Sequence, residues 1–286
     1  MSENSKILIF GGSGQLGTAL VRELGARDTP FEAPPRSEID LLVDPLGPLL
    51  EQRRPAAVVN ATAYNDVAGA ELVSGKDAAF RLNRDVPAEL SRISAGLGVP
   101  FVHVSTDYVF DGRKQRPYRE DDPASPLQAY GLSKLEGERA VLGANPASLV
   151  ARTSTLYGRG LRDGSNYVDA VLARARASSI LEVVRPPVSS PTYAADLAVA
   201  LIELMDARAT GLVHVVNGGA CSRFELAAEA IRLVGLEGRV QLSVRPPSGD
   251  GPQRPVYSVL DTSRYSEITG STMRPWRAAL AEYLAR

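Results

Sequence analysis

The chain has 286 residues, 44% of them apolar and 23% charged, with a formal net charge of −1 at pH 7. Such a length and balance suit one large α/β unit, or a cofactor domain with a smaller companion, and exclude a stapled mini-scaffold or a disordered chain. The near-zero charge argues against nucleic acid or an anionic membrane as partner, while one cysteine, Cys221, and two histidines, His103 and His214, argue against a disulfide or a structural metal.

A short polar start leads into the apolar run 7–10, with no signal-peptide core, and no apolar run approaches membrane-spanning length. The expectation is a cytoplasmic protein. Runs 6–10, 30–33, 57–62, 101–105 and 148–153 read as strands, with 212–217 a later member, and several are apolar throughout, as buried parallel strands are. Between them, 15–26, 78–96 and 129–142 carry apolar residues at three- and four-residue intervals and read as helices. This alternation predicts an α/β fold, a Rossmann-type doubly wound parallel sheet with right-handed crossovers. Beyond about residue 155 the rhythm loosens: a helix over 167–177, a strand over 180–184, a Pro-containing break and a helix over 194–206. Residues 245–255 hold four prolines and two glycines and read as a loop, and 276–284 as a terminal helix.

Gly11-Gly12-Ser13-Gly14-Gln15-Leu16-Gly17 follows the first strand and opens the first helix, the context that makes a glycine-rich string a dinucleotide site. Gly11 permits the tight turn, Gly14 lets backbone approach a pyrophosphate, and Gly17 allows close helix–strand packing. Free N–H groups at the helix start, through Gln15 and Leu16, attract phosphate charge. No clear ribose-binding acid ends the second strand; Pro34-Pro35-Arg36-Ser37 follows Glu32. Arg36 can pair with a 2′-phosphate, the alternative being a solvated loop arginine. Asp40, Leu41 and the strand end Asn60-Ala61-Thr62-Ala63 would flank the adenosine. The expected cofactor is NADPH, with NADH as the lesser alternative.

Tyr130 and Lys134 stand four apart, on one face of the helix over 129–142. A lysine ammonium nearby lowers a phenol from its usual value of about 10 toward neutrality, which suits a proton donor to a carbonyl receiving hydride. Lys134 is also expected to hydrogen-bond the nicotinamide ribose. Position strengthens this pair, because 101–105 ends in Ser105-Thr106 and ligands bind at the carboxyl ends of strands in open α/β sheets. Thr106 would donate to the substrate carbonyl oxygen. For Asp107 and Tyr108, turn-forming and packing roles compete with substrate contact. His103 reads as core and Cys221 as inert.

These residues resemble the extended short-chain dehydrogenase/reductases, and within them the dTDP-4-dehydrorhamnose reductase branch. The carriers are Gly11–Gly17, Val59-Asn60-Ala61-Thr62-Ala63-Tyr64, Ser105-Thr106-Asp107-Tyr108-Val109-Phe110-Asp111-Gly112, Tyr130–Lys134, Arg152-Thr153-Ser154, Pro191-Thr192, Arg254-Pro255 and Leu260-Asp261-Thr262. The resemblance implies NADPH-dependent reduction of a 4-keto group on a nucleotide-linked 6-deoxyhexose, dTDP the first choice of nucleotide, with Thr106, Tyr130 and Lys134 as the reaction group. Departures fall at Val67-Ala68-Gly69-Ala70-Glu71, at Thr155 in place of an aromatic, and at Arg185-Pro186-Pro187, so the sugar is less fixed than the reduction. The expected substrate residues are Val67, Thr106, Asp107, Tyr108, Thr155, Asn166, Tyr167 and Arg254, with no metal. Residues 1–155 and 192–217 would form the NADP(H)-binding Rossmann domain, and 156–191 and 218–286 the substrate-binding lobe. A homodimer is left open. Competing readings are nucleotide-sugar epimerisation with tightly held NAD, and a non-catalytic NADP-binding regulatory subunit.

Overall fold

The structure, a computed structural model, describes residues 6–160, 166–246 and 251–285. The polar start of the chain and part of the expected 245–255 loop therefore lie outside the described residues. In the first half, β1 (Ile7–Phe10), α1 (Gln15–Ala26), β2 (Phe31–Glu32), α2 (Leu46–Arg53) and β3 (Ala57–Asn60) lead into α3 (Val73–Phe80) and α4 (Val86–Leu97). There follow β4 (Phe101–Thr106), α5 (Ala129–Ala144) and β5 (Leu149–Thr153). The second half runs β6 (Leu156–Tyr157), α6 (Tyr167–Ala177), β7 (Ile180–Val184), β8 (Val188–Ser189), β9 (Thr192–Tyr193), α7 (Ala194–Asp206) and β10 (Gly211–His214). It closes with β11 (Cys221–Ser222), α8 (Arg223–Leu233), β12 (Gln241–Arg245), α9 (Ser263–Thr269) and α10 (Trp276–Leu284).

Six strands pair in parallel in the order β10-β5-β4-β3-β1-β2. Because successive strand residues face opposite sides, both faces must be covered. Leu8, Phe10, Val58 and Val150 join Leu50, Leu90 and Val141 of α2, α4 and α5 on one side. Ile9, Val59, Val102 and Ala151 join Leu20 of α1 and Leu201 of α7 on the other. The order reverses between β1 and β3, the switch point whose crevice takes ligands in such sheets.

Three differences from the sequence expectation have physical causes. The single helix expected over 78–96 is α3 and α4 joined by a π-turn, Arg81–Asp85. Pro87 has no N–H to give the Asn83 carbonyl, so the ladder must widen or break there. Helix α8 begins with a capping box in which Ser222 and Glu225 satisfy each other's backbone N–H, a start signal with no expectation attached to it. Helix α9, expected in the substrate lobe, instead packs Tyr265 into the core beneath α7. The rest of that region builds a second core from Tyr157, Val168, Leu172, Leu181, Leu226, Trp276 and Leu280. Among the described residues no helix is long and apolar enough to cross a membrane.

Candidate active site

The glycine loop turns tightly on a Gly14 N–H to Gly11 carbonyl bond of 3.0 Å. Gly11 has φ +87°, and a Cβ there would stand 2.9 Å from the Ala61 carbonyl carbon and oxygen, so the loop lies directly on the end of β3. A Cβ at Gly17 would fall 2.0 Å from the Gly11 oxygen. Helix α1 has no side-chain cap at Gly14 and no acid in its first turn, so the positive end of its dipole faces the loop. These features fit the diphosphate of a dinucleotide. From the other half of the chain, the Gly160 backbone comes so close that a Cβ would lie 3.3 Å from the Gln15 nitrogen.

On the adenosine side, the Glu32 carboxylate at the end of β2 accepts from Arg53 Nε at 3.0 Å. The acid that could have served a ribose is thus engaged by a guanidinium. Arg36 is 77% exposed and meets Asp40 at 3.1 Å, so the solvated-loop alternative describes it as it stands. An exposed pair of this kind is worth little and yields readily to a phosphate. Ser37 and Ala63 are exposed, whereas Leu41 packs on the core under β1. Asn60 is buried, and its Oδ1 accepts from the Thr62 N–H at 3.1 Å and hydroxyl at 2.6 Å.

Thr106 ends β4 and turns the chain, its hydroxyl accepting from the Tyr108 N–H and donating to Asp107 Oδ1, each at 3.2 Å. Helix α5 starts beside it, capped by Gln128, which accepts from the Gly131 N–H at 2.9 Å. This places the Tyr130 phenol within hydrogen-bonding reach of Thr106, with Tyr108 edge-on to its ring at 6.0 Å. Lys134, one turn on, is buried and donates to the Val104 carbonyl at 2.5 Å, with His103 Nε2 at 3.4 Å. Here the sequence expectation is corrected. Burial holds the Tyr130 phenol above its ordinary range, opposed by the Thr106 hydrogen bond, and Lys134 is not among the charges acting on it. The lysine Nζ is turned to the strand instead, and burial brings it down to about 8 against the pull of Glu138.

Asp107 is buried, and its Oδ2 accepts from Ser154 at 2.8 Å and Ser258 at 2.5 Å. Burial pushes its carboxyl up to about 6, with the hydroxyl donors from Ser258, Ser154 and Thr106 resisting. Asp107 therefore ties three segments together behind the site. Tyr108 faces the second half of the chain, where the charges of Arg223 and Arg254 reach it. The Tyr167 hydroxyl donates to the Arg223 carbonyl at 2.9 Å, and the Arg223 guanidinium lies 5.3 Å over the Tyr167 ring. Three expected substrate residues, Tyr108, Tyr167 and Arg254, are thus brought together.

Others are placed differently. Asn166 caps α6, accepting from the Asp169 N–H at 3.0 Å, and donates to the Gly158 carbonyl and the Tyr283 hydroxyl at 3.1 and 3.2 Å. Both ends of its amide are engaged within the lobe, which corrects its assignment to the sugar. Thr155 has φ +36° and shares a hydroxyl contact of 2.8 Å with Ser189, a strained crossing between the halves. Val67 is half-buried in the loop before α3, and the nearby Glu71 accepts from the Ala129 N–H at 2.8 Å.

Two residues had no expectation attached. Asn83, in the π-turn, accepts from the Tyr64 N–H at 2.8 Å and donates to its carbonyl and to Ser133, each at 3.0 Å, holding α5 in place. Its signal was Pro87, four residues on. Arg223 sits in an ordinary helical run, with no local signal for its partners.

A family model described as the RmlD substrate binding domain matches residues 5–286. A dTDP-4-dehydrorhamnose reductase of Mycobacterium tuberculosis (strain ATCC 25618 / H37Rv) is 36% identical over 291 residues, covering 99% of this chain and 93% of that one. A probable dTDP-4,6-dihydroxy-2-methyloxan-3-one 4-ketoreductase of Streptomyces antibioticus is 36% identical over 281 residues, covering 96% and 93%. The crystal structure of the Bacillus anthracis dTDP-4-dehydrorhamnose reductase in complex with NADP is similar at TM-score 0.89 and 28% identity, covering 99% of each chain.

Proposed function

The chain belongs to the RmlD substrate binding domain family, and from that premise we propose that it is an NADPH-dependent reductase acting in deoxysugar biosynthesis. Its substrate is the 4-keto group of a nucleotide-linked, dTDP in the first instance, 4-keto-6-deoxyhexose. The observation that carries this reading is the meeting of Tyr130 and Thr106 at the carboxyl edge of β4, on the sheet edge that the glycine loop also occupies.

When bound, NADPH supplies the hydride. Gly11, Gly14, Gln15, Leu16 and Gly17 would hold its diphosphate, Arg36 and Ser37 its 2′-phosphate, and Asp40, Leu41 and Asn60–Ala63 its adenosine half. Tyr130 gives its proton to the carbonyl oxygen; the high value that burial imposes keeps that proton in place until charge develops there. Thr106 donates a second hydrogen bond to the same oxygen. Lys134, one turn behind the phenol, would hold the cofactor ribose on turning away from the Val104 carbonyl. Arg223 and Arg254, beside Tyr108 and Tyr167, suit the diphosphate of a sugar nucleotide, because a guanidinium fork can bind two oxygens at once.

In this reading residues 1–155 and 192–217 bind the cofactor, and 156–191 with most of 218–286 bind the substrate. A cytoplasmic location and a homodimer carry over as expectations from the sequence. The test is NADPH consumption against freshly generated nucleotide-linked 4-keto sugars, with the product identified by NMR. Consumption with formation of the 4-hydroxy sugar is the expected result; binding of NADPH with no turnover across the panel would overturn it.

A further inference from the structure

His103 is fully buried on β4, directly behind Lys134, and the reaction just described makes no use of it. Its two ring nitrogens have different neighbours: Nδ1 lies 3.3 Å from Asn60 Nδ2, and Nε2 lies 3.4 Å from Lys134 Nζ. The direction of every bond in this row can be worked out from one end. The Thr62 backbone N–H can only donate, and it points at the Asn60 side chain, so Oδ1 must be the atom that faces it. The Thr62 hydroxyl meets the same oxygen. Asn60 therefore turns its NH2 to His103, and Nδ1 must accept. A neutral imidazole that accepts at Nδ1 carries its hydrogen on Nε2. That N–H faces the lysine nitrogen, which itself donates to the Val104 carbonyl at 2.5 Å. All donors then run one way, from Thr62 through Asn60 and His103 to Lys134 and Val104. An ammonium at Lys134 would break the row, setting two donors against each other.

Resting on the reductase reading, we infer that His103 is a positioning residue that favours the neutral amine at Lys134 while the lysine faces β4. On turning toward the phenol and the cofactor ribose the lysine leaves the facing N–H, so the ammonium is favoured behind Tyr130 in the occupied site. The groups around Lys134 allow this. From α5 come Glu138, which favours the ammonium, and Tyr130; from β4, His103. Glu138 is itself bound by Arg152 of β5 at 2.7 and 2.8 Å, which neutralises much of its pull. Burial works in the same direction as the His103 N–H, bringing Lys134 down to about 8. His103 stays neutral, its own value lowered first of all by burial.

The chain has only four lysines, Lys6, Lys76, Lys114 and Lys134, so isotope-labelled lysine gives a spectrum simple enough to titrate. NMR of the free protein labelled at lysine and histidine reads the tautomer and the lysine value without substrate, so it fails or stands apart from the identity of the sugar. The expected result is an Nε2–H tautomer at His103 and one lysine titrating well below the ordinary value of about 10.4. In His103→Leu that lysine should move up by about one pH unit, because the facing N–H is gone. His103→Gln, whose amide can present an N–H at the same place, should restore the low value. An Nδ1–H tautomer in the wild-type protein overturns the inference with no variant needed. So does a lysine titration that is the same in His103→Leu as in the parent.

Discussion

Tyr130, half-buried, and Asp107, fully buried, are acids with opposite duties, and their surroundings separate them. Tyr130 stands at the open carboxyl edge of the sheet, where its proton can pass to a carbonyl; Asp107 is enclosed by donors from Thr106, Ser154 and Ser258. Tyr130→Phe keeps the ring against Tyr108 and removes the proton, and turnover should fall by roughly a hundredfold or more while NADPH affinity, read by fluorescence titration, holds. For Asp107 the folded value of about 6 stands above the ordinary 3.8. The folded state thus binds this proton more tightly than the unfolded chain does. That contribution is complete below about pH 4 and is lost as pH rises through about 6, up to an order of 3 kcal/mol. Asp107→Asn should therefore gain in Tm relative to the parent as pH rises from 4 to 7; a gap independent of pH would contradict the burial argument. At Arg36, exposure and a weak partner leave the guanidinium available. Arg36→Ala should raise the KM for NADPH and leave that for NADH little changed, and equal losses would show that it does not read the 2′-phosphate.

At the scale of elements, the site depends on where α5 sits, and two packing devices fix it. On one face Glu138 and Arg152 form a buried pair, with Ser105 donating to Glu138 at 2.5 Å, which ties the helix to β4 and β5. Removing one member leaves a buried charge uncompensated, which costs about 3–5 kcal/mol. At mid-helix, Gly137 lies against the π-turn so closely that a Cβ would stand 2.0 Å from the Asn83 carbonyl oxygen. The backbone groups on both sides cannot flex away as a side chain would. Gly137→Ala should displace α5 and with it Tyr130 and Lys134, lowering kcat by on the order of tenfold to a hundredfold. Cofactor affinity, set mainly by the glycine loop, should change far less. A Gly137→Ala protein with parental kcat would show that α5 tolerates the shift.

Across the whole molecule, the two halves bring different chemistry toward Tyr108. The sheet supplies the glycine loop, Thr106 and the Tyr130 helix; the other half supplies Tyr167, Arg223 and Arg254. Arg223→Ala should weaken sugar-nucleotide binding about tenfold or more by calorimetry, the loss of a charge-assisted hydrogen bond, with NADPH binding unaltered. Equal weakening of both ligands would place Arg223 in the fold's stability instead. Much of this was legible locally. Parallel strands buried on both faces need unbroken apolar runs, and a phosphate turn needs glycines at fixed spacing, so the sheet, its order of elements and the loop at β1 follow from neighbours in sequence. Tyr130 and Lys134 share a helix face through periodicity alone. What the sequence does not carry is direction and long-range pairing. Lys134 turns to Val104, Asn166 is absorbed by the cap of α6, and Glu32 by Arg53, because each finds a partner far away in the chain. His103 reads as one more residue of an apolar strand; only the packing of β3, β4 and α5 together gives each of its nitrogens a neighbour, and so a direction to its hydrogen.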